Sequence, residues 1–332
     1  MKAAYVPEAN RIEIGEFPRP AAEQEGDVVV RMELASICGS DVHSVFHGFH
    51  NPQALGKPGY PGHEGIGTVI ESRSADFAPG DCVLTVPVGN IGGCFAEYQL
   101  LRETQLVPVP ADGDKAKLLM AQQYGTTLYA MRTFWPEEGR AKGTCAIIGA
   151  GSAGLFFLQQ AKLMGFGQTI ISDLNADRLA VAAALGADIT VQAPQDSFVD
   201  AVLAATGGTG ADLVIEAAGY DQCRSDAVAA VRILGIVGCF GFPERLGNAS
   251  FPQFDAFRKI ARIQWAGGTQ SEPGLVSFRD AVRHIHDGRI IVDYCLGDRY
   301  TLDELPKAME IANEQGHGRV KLSVDLSGAS HA

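Results

Sequence analysis

Short apolar runs of strand character alternate with turn residues along the first third of the chain. The segments "GDVVVRMEL", "GIGTVIES", "DCVLTVPV" and "CFAEYQLL" are rich in apolar and β-branched residues and are parted by Gly and Pro. That texture predicts a strand-rich barrel or sandwich up to about residue 115. From roughly residue 140 to 270 the pattern changes to apolar strands alternating with helical segments. "TCAIIG", "QTIISD", "ADLVIEAAG" and "IVGCFGF" read as strands; "SAGLFFLQQAKLMG", "ADRLAVAAALG" and "CRSDAVAAVRILG" read as helices between them. This βαβ rhythm predicts a parallel sheet wound on both faces. A helix, "LVSFRDAVRHIHDG", and a tail, "DELPKAMEIANEQGHGRVKLSVDL", follow. The tail can return to the first domain, in which case the expected division is 1–122 with 269–332, and 123–268.

The length of 332 residues fits two cores better than one. The 46% hydrophobic and 20% charged content is that of a soluble globular chain. A net charge of −12, without a dense Lys/Arg run, argues against nucleic acid or an anionic membrane as partner. "MKAAYVPEAN" has no apolar stretch of the export type, and no apolar run reaches spanning length. The seven scattered cysteines are therefore expected to be reduced thiols in the cytoplasm.

"IIGAGSAG" places Gly149, Gly151 and Gly154 in a G-x-G-x-x-G pattern between a strand and a helix. There the first glycine serves a tight turn, the second lets a pyrophosphate approach, and the third lets helix and strand pack. The helix N-terminus offers free N–H groups to phosphate. Asp173 ends the next strand, where a carboxylate accepts ribose hydroxyls and repels a 2′-phosphate, which favours NAD over NADP. Arg178, five residues on, is placed on the adenosine side or on a solvated helix face.

Two other motifs carry metal chemistry. "CGSDVH" contains Cys38, Ser40, Asp41 and His43, and "GHEGIG" contains His63 and Glu64. Thiolate and imidazole suit zinc, and a catalytic zinc needs three protein ligands and an open position. "CGSDVH", "GHEGIGTV", "FAPGDCV" and "GAGSAG" occur in the order of the zinc-dependent medium-chain dehydrogenases of the alcohol, sorbitol and threonine dehydrogenase kind, and the chain resembles that family over nearly its whole length. The resemblance implies a GroES-like β domain, a Rossmann domain and a returning tail. It implies one catalytic zinc and NAD(H), with hydride passing between the cofactor and an alcohol, polyol or sugar hydroxyl. Cys38 and His63 match two zinc ligands, and Glu64 a glutamate at or beside the metal. Ser40 matches the group that takes the hydroxyl proton and His43 the group that passes it on. Asp41 matches a carboxylate that orients the ligand histidine, and Arg319 falls near a position that touches cofactor phosphate. A homodimer or homotetramer is implied by resemblance alone.

The chain departs from that pattern twice. Relatives with a structural zinc carry four clustered cysteines, whereas only Cys82 and Cys94 stand here, so no structural zinc is expected. In "MAQQYGTTLYA" the third ligand position falls on Gln122, or on Gln123 in one matching, where relatives have an acid or a Cys. A glutamine carbonyl can reach zinc but is neutral. The expected site is Cys38, His63 and either Glu64 or Gln122, against a site that has lost its metal. Two rival readings stand beside the dehydrogenase: a zinc-free quinone or enoyl reductase, and a non-catalytic NAD-binding sensor. His47 and His50 read as a surface loop, His284 and His286 as a poor ligand pair, and Cys223, Cys239 and Cys295 as small buried residues.

Overall fold

The computed structural model describes residues 1–88, 92–136 and 141–328. The chain divides into two compact units, Met1–Gly125 with Gly268–Ala332, and Thr126–Gly267. Among the described residues no helix is long and apolar enough to cross a membrane.

In the first unit the strand Asp27–Ile37 is the hub. Its opening run of three valines is stiff at χ1 and suits a pleated, buried ladder. It pairs antiparallel with Glu64–Ser72 along one flank. On the other flank it pairs with Tyr98–Arg102 at its start and with Leu322–Asp325 at its end. The tail thus closes onto the strand that precedes "CGSDVH". Ala35 and Ile37 pair with Val324 and Leu322, and all four join the hydrophobic core of the unit.

The alternating positions form the other face. Ser36 stands opposite Glu64 on one flank and opposite Ser323 on the other. Residues opposed across an antiparallel ladder point to the same side, and the period is two. The next positions of that polar face are Cys38 on the central segment and Lys321 on the tail. Sheet register therefore collects residues from three distant stretches of sequence. The helix Gly39–Phe46 begins immediately after Cys38.

The second unit holds six strands that are all parallel. Their order is Ile189–Gln192, Gln168–Asp173, Thr144–Ile148, Ala211–Glu216, Val231–Cys239, Arg262–Trp265. Thr144–Ile148, the first in sequence, sits inside the sheet between the second and the fourth. The direction of winding reverses there, and open α/β sheets bind ligands outside the carboxyl ends of their strands at such a point. One predicted element is shorter than expected. The helix read through "CRSDAVAAVRILG" ends at Ala230, and Val231 already belongs to a strand. The β-branched Val231 and Ile233 favour the ladder over another helical turn.

Candidate active site

Cys38, His63 and Glu64 come together. One ligand atom from each lies within 4.8 Å of the others, the only such Cys/His/acid group of three among the described residues. A single carboxylate organises the first two. Asp41 Oδ1 accepts from His63 Nδ1 at 2.8 Å, and Asp41 Oδ2 accepts from the Cys38 backbone N–H at 2.9 Å. Asp41 is fully buried, so these bonds hold its charge in place. With Nδ1 engaged, His63 offers Nε2 as its donor, as metal-ligating histidines backed by a carboxylate do. Burial pulls the His63 pKa down, yet Asp41 and Cys38 outweigh it and raise the value well above 6.5. The ring is thus set in a strongly negative field that favours a cation at that position. Thiol, backed imidazole and carboxylate in one cluster fit a zinc ion.

Glu64 has close partners of its own. Its side chain and that of Lys321 are each 2% exposed, and Lys321 Nζ lies 2.6 Å from Glu64 Oε2. Ser36 Oγ donates to the same oxygen. Burial would raise the Glu64 pKa, but Lys321 and His63 override it and lower the value. Burial would likewise lower the Lys321 pKa, but Glu64 and Cys38 raise it. The two side chains form a buried ion pair. Lys321 was not singled out from the sequence. The signal for it was the alternation in "KLSVDL", where Lys321, Ser323 and Asp325 share a face against Leu322, Val324 and Leu326. That pattern does not say which strand lies alongside.

Gln122 is buried at the start of the helix Ala121–Phe134, and its Nε2 donates to the His63 carbonyl at 3.2 Å. Gln123, half-buried, is the next residue of the helix and points about 100° away from it. Ser40 and His43 lie three apart on the helix Gly39–Phe46 and so share a face. His43 Nδ1 donates to the Gly39 carbonyl at 2.8 Å, which leaves Nε2 as proton acceptor. Burial lowers the His43 pKa, with the backbone bond to Gly39 opposing and His47 assisting.

The nucleotide motif occupies the loop after Thr144–Ile148. Gly149 has φ +100, and a Cβ on Gly154 would lie 1.8 Å from the Gly149 carbonyl oxygen, so both glycines are demanded by the fold. Gly151 differs, because a Cβ there would meet nothing within 4 Å. The protein itself leaves that space open at the N-cap of the helix Ser152–Leu163, where a pyrophosphate would be accommodated. Asp173 is half-buried, and its carboxylate accepts from the backbone N–H of Ala150 at 2.7 Å and of Asn175 at 2.8 Å. Those bonds anchor the carboxylate beside the loop and leave it lone pairs for ribose hydroxyls. Arg178 lies in the first turn of the helix Ala176–Ala184, capped by Asn175.

The remaining residues separate. Arg319 ion-pairs with Asp298. His47 donates to Asn313 Oδ1 at 2.8 Å, and its ring lies 5.0 Å from that of His43. His284 bonds Tyr124 while His286 reaches towards Asp112, so the two diverge. Cys239 and Cys295 are buried, whereas Cys223 is only half-buried. Burial pushes all three thiols up to about 12. It also raises Cys82, and Cys94 further.

Residues 24–111 match the alcohol dehydrogenase GroES-like domain and residues 152–279 the zinc-binding dehydrogenase family. An L-threonine 3-dehydrogenase of Bacillus velezensis is 30% identical over 92% of this chain and 94% of its own length. A sorbitol dehydrogenase of Bacillus subtilis is 26% identical over 94% and 93%. The solved alcohol dehydrogenase of Thermus sp. ATN1 superposes with a TM-score of 0.82 at 25% identity, covering 98% of this chain and 99% of that one. The chain belongs to the zinc-dependent medium-chain dehydrogenases. It is an NAD(P)-linked oxidoreductase of the alcohol and polyol dehydrogenase kind, with a GroES-like and a Rossmann domain.

Proposed function

We propose that the protein interconverts a hydroxyl of a small polyol, sugar or hydroxy compound with the corresponding carbonyl, using NAD(H). The observation that carries this reading is the joint hold of Asp41 on Cys38 and His63, with Glu64 beside them. Cys38 and His63 would hold zinc, with Glu64 or Gln122 as third donor. Zinc, when bound, supplies a Lewis acid that makes proton loss from an alcohol possible near neutral pH. Ser40 takes the hydroxyl proton, and neutral His43, with Nε2 as acceptor, carries it away from the substrate. Gly149, Gly151, Gly154 and Asp173 seat the dinucleotide, and the anchored Asp173 carboxylate disfavours a 2′-phosphate. Arg178 and Arg319 are assigned to the cofactor's adenosine and phosphate groups.

We further read the chain as a cytoplasmic homodimer or homotetramer. All seven cysteines are free, in keeping with a reducing compartment. The edge strand Arg262–Trp265 exposes Trp265, and the nearby helix Gln253–Lys259 exposes Phe254 and Phe257 at 71% and 76%. Apolar surface of that kind is normally covered, and sedimentation gives the mass that decides it. For the chemistry, the test is metal content and turnover together. Protein purified without chelator should carry about one zinc per chain and reduce NAD with one member of an alcohol and polyol panel. Zinc-free protein that reduces quinones or enoyl compounds would move the assignment to the zinc-free reductases.

A further inference from the structure

The pair Lys321–Glu64 is more than the dehydrogenase reading requires. A carboxylate beside a metal needs no buried ammonium, and burying one is costly unless it stays paired. Here the partner is fixed by the fold: Lys321 immediately precedes Leu322, which pairs with Ile37, and so takes the next same-face position after Ser323. Its ammonium and the Ser36 hydroxyl converge on one oxygen of Glu64. If Glu64 turned to serve a metal, Lys321 would be left as an uncompensated cation, buried beside a dication.

Resting on the zinc reading above, we propose that Lys321 is a positioning residue that keeps Glu64 out of the zinc ligand set, so that Cys38, His63 and Gln122 hold the metal. Gln122 is the buried residue whose amide already reaches the His63 backbone. The charges then separate cleanly. Glu64 and Lys321 cancel each other, and the Cys38 thiolate is the one charged ligand, so zinc with its ligands carries a net single positive charge, with Asp41 standing behind His63. Such a metal is held less firmly and polarises a substrate oxygen more strongly than one bound by two anions. The acid missing at position 122 is not replaced by Glu64; the site is built around its loss.

The test is zinc affinity, read by competition with a chromophoric chelator on the full chain, and the cobalt(II) absorption spectrum of the same variants. Glu64→Gln should weaken zinc by about 10- to 100-fold, because it strips Lys321 of its counterion beside the dication, as removal of an outer partner does, whereas removal of a true ligand costs more. Lys321→Met should tighten zinc by about tenfold or more and alter the cobalt spectrum as Glu64 enters the coordination shell. The double variant should return to the parent value, and Lys321→Arg should match it throughout. A merely structural lysine would give weaker binding on removal, never tighter. Loss of zinc affinity by more than about 100-fold in Glu64→Gln overturns the proposal, and so does Lys321→Met with unchanged or weaker binding. Should Lys321→Met fail to fold, the Glu64→Gln measurement decides alone. Zinc uptake that disappears in Cys38→Ser keeps the zinc reading intact even when Glu64→Gln sinks this one; parent protein that takes up no zinc ends both.

Discussion

The nucleotide loop and the metal face are built in opposite ways. The loop is local: strand, glycines, helix and the acid that anchors them all fall between Thr144 and Asp173. The metal face is assembled by register. Cys38, His63, Glu64 and Lys321 meet because Asp27–Ile37 pairs with Glu64–Ser72 on one flank and with the tail strand on the other, and Gln122 joins them from the start of a separate helix. A local motif is fixed by backbone space, so its weak points are glycines. A register-built site is fixed by buried polar partners, so its weak points are charges.

The largest effect expected on this contrast comes from Cys38→Ser. It should lower kcat/KM by about 1,000-fold or more, the several kcal/mol that a Lewis acid contributes. NAD binding, measured by calorimetry, should survive. Near-full activity in that variant would sink the zinc mechanism. The mirror-image experiment is Gly154→Ala. Its Cβ would meet the Gly149 carbonyl oxygen, so the loop must move. The expected cost is about 1–3 kcal/mol of stability, seen as a lower Tm, with NAD binding weakened and zinc content kept. Unchanged NAD affinity would show that the loop tolerates what its backbone geometry forbids.

The same contrast explains what could be read from sequence. G-x-G-x-x-G and the following acid identify themselves, since the glycines, the helix they open and the acid all lie within one βαβ unit. "CGSDVH" and "GHEGIG" name ligands but not their mutual distance, and the resemblance supplied their pairing. Lys321 was invisible because nothing within "GRVKLSVDL" reveals that it lies beside Glu64. The end of the helix at Ala230 was missed for a related reason: Val231–Cys239 becomes a strand by pairing with Ala211–Glu216 and Arg262–Trp265, both distant in sequence. The polar neighbourhood of Glu64 lies beyond reading for the same cause, so the sequence alone leaves both Glu64 and Gln122 as candidate third donors.

Asp41 tests whether register alone makes the metal face. Its two oxygens fasten Cys38 and His63, so Asp41→Asn keeps the shape and removes the charge. Zinc affinity should fall by roughly 10- to 100-fold, as for other carboxylates behind ligand histidines. Chelator competition measures it, and an affinity equal to the parent's would mean that strand pairing positions both ligands without help.

The smallest effect concerns His43, which belongs to the metal face by sequence yet is held by its own helix. Burial lowers its pKa below 6.5, so the folded protein binds that proton less tightly than the unfolded chain does. The sign follows from linkage. Above 6.5 both states are neutral and His43 contributes nothing to pH dependence. As the pH falls through 6.5 the unfolded chain protonates first and stability declines, levelling off once the folded pKa is passed. The same ionisation should shape turnover, because only neutral His43 can accept a proton. The acid limb of kcat/KM is therefore expected below pH 6.5 in the parent. His43→Gln should lower kcat modestly and remove or displace that limb, while zinc affinity stays as it was. An acid limb that does not move would take His43 out of the proton path and assign its bond to Gly39 to helix geometry alone.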